Sequence, residues 1–151
     1  MPRHLYHILS PRCGDKIRKG QNLFMEKLAS GVYRLTVGTP ERHTPVTLLR
    51  PDIRYESLNA LPDCPAPFTE SDIRQAVTRR SLTLELPLEP GEDIYGLGLQ
   101  LKSFRQTAKK KLLRPNSDPA SDTGDSHAPV PFYVSTKGYG ILVDTACGRM
   151  T

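Results

Sequence analysis

Proline and glycine interrupt this chain so often that long helices have little room to form. The sequence holds 14 prolines and 11 glycines among 151 residues. Proline lacks the amide N–H that a helix interior or a central strand needs, and glycine favours turns. We therefore expect short strands joined by turns, in a single domain whose length is enough for one core. No stretch approaches the roughly 18 uninterrupted apolar residues of a membrane-spanning helix, so no membrane partner is expected.

Apolar residues alternate with polar ones in several parts of the chain. Leucine occupies every second position of residues 82–88, as in a strand with one buried face. The runs 23–28 and 32–37 flank a glycine-containing connection and predict a hairpin. Residues 127–145 predict a second hairpin around another such turn. Together these segments predict an all-β fold, an antiparallel β-sandwich that is incomplete at its C-terminus.

Two glycines stand inside the apolar run IYGLGLQ, at Gly96 and Gly98. Glycine weakens an ordinary strand because it has no side chain to pack and loses much backbone freedom. Its presence there predicts a bulge, a bend, or a close approach by another part of the backbone or by a ligand.

Three segments are harder to interpret. Residues 1–20 are expected to be an irregular lead-in to a sandwich domain at 21–151. Residues 45–50 predict a short strand that begins at a proline, where the missing N–H costs least. A helix with Thr69 as its N-cap is one interpretation of residues 69–80, although its apolar stripe is thin.

The net charge of +5 does not by itself predict a nucleic-acid partner. Six basic residues between positions 102 and 114 are followed directly by Asp118, Asp122 and Asp125. Local pairing of these opposite charges is the simpler interpretation, and Phe104 is the only aromatic residue there for base stacking. We therefore expect no nucleic acid among the partners.

The cysteines and the N-terminus indicate a reducing compartment. Cys13, Cys64 and Cys147 are far apart, without C-x-x-C spacing or a paired histidine, which favours free thiols over a zinc site. The first sixteen residues contain Arg3 but no continuous apolar segment, so no signal peptide is expected. These features predict a cytoplasmic location.

A polar segment before the second hairpin contains residue types that carry chemistry elsewhere. Asp125, Ser126 and His127 are the residue types of an acyl-transfer triad, but sequence neighbours point in different directions and no G-x-S-x-G turn surrounds the serine. With Asp118 and Asp122 they also offer cation ligands, yet the spacing does not match an EF-hand loop. We predict no catalytic residue, no metal and no cofactor in this chain.

Several short motifs follow one another in a definite order in the second half of the chain. They are Glu92, Tyr-Gly-Leu-Gly at 95–98, Asn116 and Asp118, Pro-Phe-Tyr at 131–133, Gly-Tyr-Gly at 138–140, and Asp144. In this order they resemble the N-terminal domain of glycoside hydrolase family 31, which contains retaining α-glucosidases, α-xylosidases and α-galactosidases. The resemblance covers residues 80–146 well and 21–79 loosely.

The resemblance implies a galactose-mutarotase-like β-sandwich that packs on a catalytic (β/α)8 barrel. The nucleophile and acid/base aspartates of the family lie in that barrel, which is absent from this chain, so the chain alone is expected not to hydrolyse a glycosidic bond. The implied partners are an α-glycoside carbohydrate and the barrel domain of the same parent protein. Leu99 replaces the acid that usually follows Tyr-Gly-Leu-Gly, which leaves the substrate subgroup open.

The resemblance also implies a substrate-binding segment. Residues 102–127 correspond to a family loop that helps to shape the substrate pocket, and Asp118 matches an aspartate that touches the leaving-group sugar in some members. Asn116, Asp118 and His127 are therefore the expected substrate-binding residues, through hydrogen bonds to sugar hydroxyls. Turn or loop capping is the alternative role of Asp118.

Two other functions stay open at this point. The first is a stand-alone, non-catalytic carbohydrate-binding β-sandwich. The second is a module whose basic segment binds an acidic polymer, which salt-sensitive binding would reveal.

Overall fold

The structure is a computed structural model that describes residues 4–9, 22–60, 62–63, 65–78, 81–99, 103–110, 113 and 128–145. The strands in these ranges are β1 (His4–Leu9), β2 (Leu23–Ala29), β3 (Val32–Val37), β4 (Arg74–Val77), β5 (Leu82–Glu85), β6 (Ile94–Gly96), β7 (Phe132–Ser135) and β8 (Tyr139–Asp144). The helices are α1 (Pro45–Leu49), α2 (Tyr55–Asn59) and a single 3-10 turn, Glu70–Asp72. None of the helices in the described ranges is long and apolar enough to cross a membrane.

The strands form two sheets. Six of them lie in the order β2-β3-β1-β8-β7-β6, and β4 pairs with β5 in a separate two-stranded sheet. The predicted all-β sandwich is therefore confirmed. The larger sheet is mixed, because β1 runs parallel to both of its neighbours, β3 and β8, while the other pairs are antiparallel.

The core lies between the two sheets. Tyr6 stacks on Phe68 with ring centroids 4.3 Å apart and meets Tyr139 edge to face at 6.2 Å. Leu35 and Ile141, from the strands on either side of β1, are fully buried beside them. The alternating leucines of β5 pack against this cluster and alternate with exposed residues, as their spacing predicts. Burial of these rings and aliphatic side chains is the main force that holds the sheets together.

Both predicted hairpins are present. β2 and β3 are antiparallel with a bulge between Lys27 and Ala29, and Gly31 takes a positive φ of 67° in the turn. β7 and β8 pair around a turn in which Gly138 has a φ of 87°. These elements were predictable because a two-residue alternation and a local turn both depend on residues that are close together in the sequence.

The first strand corrects one prediction. His4–Leu9 lies within residues 1–20, which the sequence predicts to be irregular, so that prediction is wrong for these six residues. Tyr6 and Ile8 are buried in the core. The segment is short and contains His4 and His7 among its apolar residues, and pairing with β3 and β8 makes it a central strand. The domain boundary at residue 21 stays a prediction.

Two further segments differ from their predictions. Pro45–Leu49 forms α1 instead of the strand predicted for residues 45–50, because the Thr44 hydroxyl accepts the Thr47 N–H in a capping box and Pro45 suits the first helical turn. Thr69 does cap residues 70–72, but only one 3-10 turn forms there. The chain then extends into β4, because Ile73 is buried in the core and residues 74–77 pair with β5.

Candidate functional site

The predicted substrate-binding residues lie outside the described residues. Asn116, Asp118 and His127 all fall in this category, as do Asp125 and Ser126. Their roles therefore stay predictions. The structure does describe both ends of the segment that holds them, residues 94–99 before it and 128–135 after it, and we call these two ranges together the loop root.

Two glycines bring the ends of the loop root into contact. Leu99 N donates a hydrogen bond to Ala128 O at 3.0 Å. Gly98 has a φ of +88°, and a Cβ added there would lie 2.0 Å from that same carbonyl oxygen. Gly96 has a φ of +125°, with its Cβ position 2.7 Å from Phe132 O. The predicted close approach of a second backbone segment is thus confirmed, and the approaching segment is the far end of the loop.

The first residues of the segment fold back along β6. Gln106 N donates to Ile94 O at 2.8 Å, and Ile94 N donates to the hydroxyl of Thr107 at 2.8 Å. The Arg105 guanidinium forms an ion pair with Asp93, which also accepts a hydrogen bond from Thr107. These contacts hold residues 105–107 along the free edge of β6, where Arg105 forms a single bridge with Tyr95.

An aromatic pair marks this departure point. Phe104 is 80% exposed, and its ring centroid lies 5.1 Å from that of Tyr95 on β6, with the two planes tilted by 38°. The side-chain amide of Gln106 donates to the carbonyls of Ser103 and Phe104. Gln106 itself is buried, so the backbone that carries Phe104 is held against the sheet while its ring faces solvent.

Glu92 is a buried carboxylate beside the loop root. Its Oε1 accepts the hydroxyls of Ser135 and of Tyr139, the latter at 2.6 Å, and its Oε2 accepts the Glu89 N–H at 2.8 Å. Burial opposes ionisation, but these hydrogen bonds and nearby Lys137 outweigh it, so the pKa of Glu92 is lowered from its ordinary value. Burial and the hydrogen bond to Glu92 raise the pKa of Tyr139. Glu92 therefore ties the turn before β6 to the β7–β8 hairpin.

Asp144 is a second buried carboxylate, on the sheet face opposite the core. It accepts hydrogen bonds from the Thr44 hydroxyl at 2.5 Å, from Val46 N at 3.1 Å and from His7 Nε2 at 2.9 Å. Its side chain is 1% exposed. Asp144 thus joins the first strand, the first helix and the last strand of the described chain.

A shallow open depression of about 390 Å³ lies at the end of β2, on the edge of the sheet furthest from β6. Its polar groups already contact one another. Lys27 Nζ lies 2.5 Å from Asp63 Oδ2, and Ser30 N donates to Asn59 Oδ1 at 3.1 Å. This arrangement serves to hold the connection after α2 against the sheet edge.

The loop root is suited to positioning the segment between its two ends. Of the two acids that directly precede the loop root, Glu92 is enclosed by hydrogen-bond donors, and Asp93 pairs with Arg105 and Thr107. Neither presents a carboxyl group that is placed to exchange a proton with a ligand. The described residues instead fix the two ends of the predicted substrate-binding segment to rigid strands.

Sequence reasoning missed the structural roles of several residues here. Glu92 and Asp144 were recognised as motif residues, but nothing in the sequence shows that their partners are Tyr139, His7 and Thr44, which are distant along the chain. The sequence does offer one indication for Phe104, because an aromatic residue stands there within a strongly charged stretch.

Comparison with known proteins supports a relationship to glycosidases. The chain is 29% identical over 91 residues to an alpha-xylosidase of Emericella nidulans. Those residues make up 60% of this chain and 12% of that protein, so the chain spans a small part of the relative it matches. No protein-family model matches the chain.

Proposed function

We propose that this chain is the N-terminal β-sandwich domain of a retaining α-glycosidase of family 31. In this proposal the sandwich, of the galactose-mutarotase-like type, packs on a catalytic (β/α)8 barrel and lends residues 102–127 to the substrate pocket. The observation that carries the proposal is the similarity to an alpha-xylosidase, found in a chain with an all-β fold. An α-linked sugar, with α-xylosides first among the candidates, is the substrate class.

The contacts of the motif residues support this role. Glu92 binds Tyr139, and Gly96 and Gly98 allow the backbone at Phe132 and Ala128 to approach. The described motif residues thus form a rigid frame at the two ends of residues 102–127. A frame of this kind suits a domain that positions substrate groups while another domain performs the bond cleavage.

Within the loop, Asn116, Asp118 and His127 are proposed to hydrogen-bond sugar hydroxyls. Removing one such contact weakens substrate positioning without removing the acid/base chemistry, because the catalytic aspartates belong to the barrel. A cytoplasmic location stays a prediction alongside this proposal.

The test uses the full-length product of the coding region that contains this chain. We expect the product to include a barrel and to hydrolyse an aryl α-xyloside or α-glucoside. The variant Asp118→Asn should lower kcat/KM by roughly 10- to 100-fold, as expected for one lost buried hydrogen bond, while Asp122→Asn should leave it nearly unchanged. A coding region without a barrel would contradict the proposed packing on a catalytic barrel. Equal kcat/KM for the two variants would contradict the proposed role of Asp118 in the loop.

A second candidate function is a stand-alone carbohydrate-binding sandwich, and the exposed ring of Phe104 beside half-buried Tyr95 favours it. A solvent-exposed aromatic ring held beside a sheet edge is suited to contact with a sugar ring. Calorimetric titration of a coding-region product that lacks a barrel separates the two functions. Sugar binding without hydrolysis supports the second, and absence of binding excludes it.

A further inference from the structure

The side chain of Phe104 is exposed, yet the backbone that carries it is firmly held. Gln106 Nε2 donates to Phe104 O at 3.3 Å and also to Ser103 O, while Ser103 Oγ donates to Arg105 O at 2.9 Å. Gln106 N is anchored to Ile94 O on β6. A loop with this many internal bonds presents its aromatic ring in one place, which lowers the entropy lost when a partner binds.

The ring has a second aromatic ring beside it. Tyr95 lies at a centroid distance of 5.1 Å from Phe104, and its own strand is paired with β7 on one side and bridged to Arg105 on the other. At this distance and a tilt of 38°, the Phe104 ring lies against the half-buried Tyr95 ring and is supported by it. Most of the Phe104 surface, 80%, is therefore available to a third flat apolar surface.

The residues around the pair are polar and charged. Arg105 uses Nε to contact Asp93, and its guanidinium group carries further N–H donors on a side chain that is 61% exposed. Lys109 and Lys110 follow and are exposed. An exposed ring flanked by hydrogen-bond donors matches a ligand that has one apolar face and a rim of hydroxyl groups.

We propose that Tyr95 and Phe104 form a stacking platform for the apolar face of a pyranose ring, with Arg105 donating to the hydroxyls of the sugar. The proposal takes its ligand class from the proposed function, but it requires neither the barrel nor residues 116–127. Arg105 and the exposed Lys109 and Lys110 supply hydrogen-bond donors, which favour a hydroxylated ligand over a purely apolar partner surface.

The experiment is a titration of the full chain, labelled with nitrogen-15, with methyl α-xylopyranoside and methyl α-glucopyranoside. We expect saturable shifts of the amide signals of Tyr95, Phe104 and Arg105, with a Kd on the order of 1–10 mM. The open-chain polyol sorbitol has similar hydroxyl groups but no ring face, and it should cause no saturable shift. Equal response to sorbitol would overturn the proposal.

Variants separate stacking from general apolar contact. Phe104→Leu keeps an apolar side chain and should weaken binding by roughly three- to tenfold, whereas Phe104→Trp should restore or strengthen it. Phe24, which is 59% exposed on β2 at the opposite edge of the sheet, provides the matched control, and Phe24→Leu should bind like the unaltered chain. Equal affinity of Phe104→Leu and the unaltered chain would overturn the proposal.

The outcome is independent of the proposed glycosidase role. Asp118→Asn should not change the affinity of the platform, and loss of platform binding in that variant would mean that the sugar sits in the loop instead. Absence of sugar binding to the full chain would overturn the platform proposal. It would not affect the glycosidase proposal, which the barrel-dependent kinetics of Asp118→Asn test.

Discussion

His7 Nε2 lies 2.9 Å from Oδ2 of Asp144, although 137 positions separate the two residues in the chain. The same carboxylate oxygen accepts the Thr44 hydroxyl at 2.5 Å, and Oδ1 accepts Val46 N at 3.1 Å. Because β1 lies between β3 and β8, this contact locks the central strand to one neighbour from the face opposite the core. Several measurable consequences depend on buried carboxylates of this kind.

Asp144→Ala should strongly destabilise the fold. The substitution leaves three buried or half-buried donors without their acceptor, which costs about 3 kcal/mol or more. Asp63→Ala is the matched control, because the Asp63 side chain is 60% exposed in its ion pair with Lys27, and the expected cost is about 0–1 kcal/mol. Urea unfolding followed by circular dichroism measures both, and equal midpoints would contradict the structural role of Asp144.

Tyr139→Phe should cost more stability than Tyr6→Phe. Both rings are buried, but the Tyr139 hydroxyl donates to the Glu92 carboxylate at 2.6 Å, whereas the Tyr6 hydroxyl donates to Phe68 O at 3.4 Å. A hydrogen bond to a charged group contributes about 1.5–3 kcal/mol and a long neutral one about 1 kcal/mol or less. Thermal unfolding of the two variants at neutral pH tests this order, which would be reversed if the Glu92 contact were unimportant.

The stability of the domain should fall in acid partly through Glu92. The pKa of Glu92 is lowered from its ordinary value of 4.5 in the folded state, so the unfolded chain binds a proton first. This contribution is fully present above pH 4.5 and is lost as the pH falls through the lower folded-state pKa. Glu92→Gln should therefore be less stable at neutral pH and should lose less stability between pH 5 and pH 3. Parallel pH profiles for the variant and the unaltered chain would contradict this expectation.

Gly98→Ala should disrupt the loop root, and Gly91→Ala should not. Both glycines have a positive φ, +88° and +75°, so each substitution carries the backbone strain of about 1–2 kcal/mol. At Gly98 the new Cβ would also lie 2.0 Å from Ala128 O, while at Gly91 nothing lies within 4 Å. Hydrogen exchange at Leu99 N should accelerate in Gly98→Ala alone. Similar exchange in both variants would show that close packing of the two loop ends is not needed.

The parts of the fold that the sequence predicts are those that depend on residues close together in the chain. The leucines of β5 and the turn at Gly138 are such cases, since alternation and turn chemistry act over a few positions. Gly96 and Gly98 also predict that another backbone segment approaches them closely, and the structure identifies Ala128 and Phe132 as the approaching residues.

The parts that escaped prediction depend on distant partners. β1 becomes a strand because β3 and β8 flank it. α1 forms because the Thr44–Asp144 contact and the capping box of Thr44 and Thr47 outweigh the strand tendency of a short apolar run. At the candidate site, the sequence singles out Phe104 as an aromatic residue but does not show its ring held on the surface beside Tyr95. Such arrangements follow from tertiary contacts that no local pattern encodes.

The central position of β1 has a consequence for synthesis on the ribosome. β1 emerges before β3, which follows within about 25 residues and can pair with it along one side. Its other side must wait for β8, which at about 5–20 residues per second appears roughly 5 to 20 seconds after β3. During that interval the nascent chain carries an unpaired strand edge that can bind a chaperone or another nascent chain.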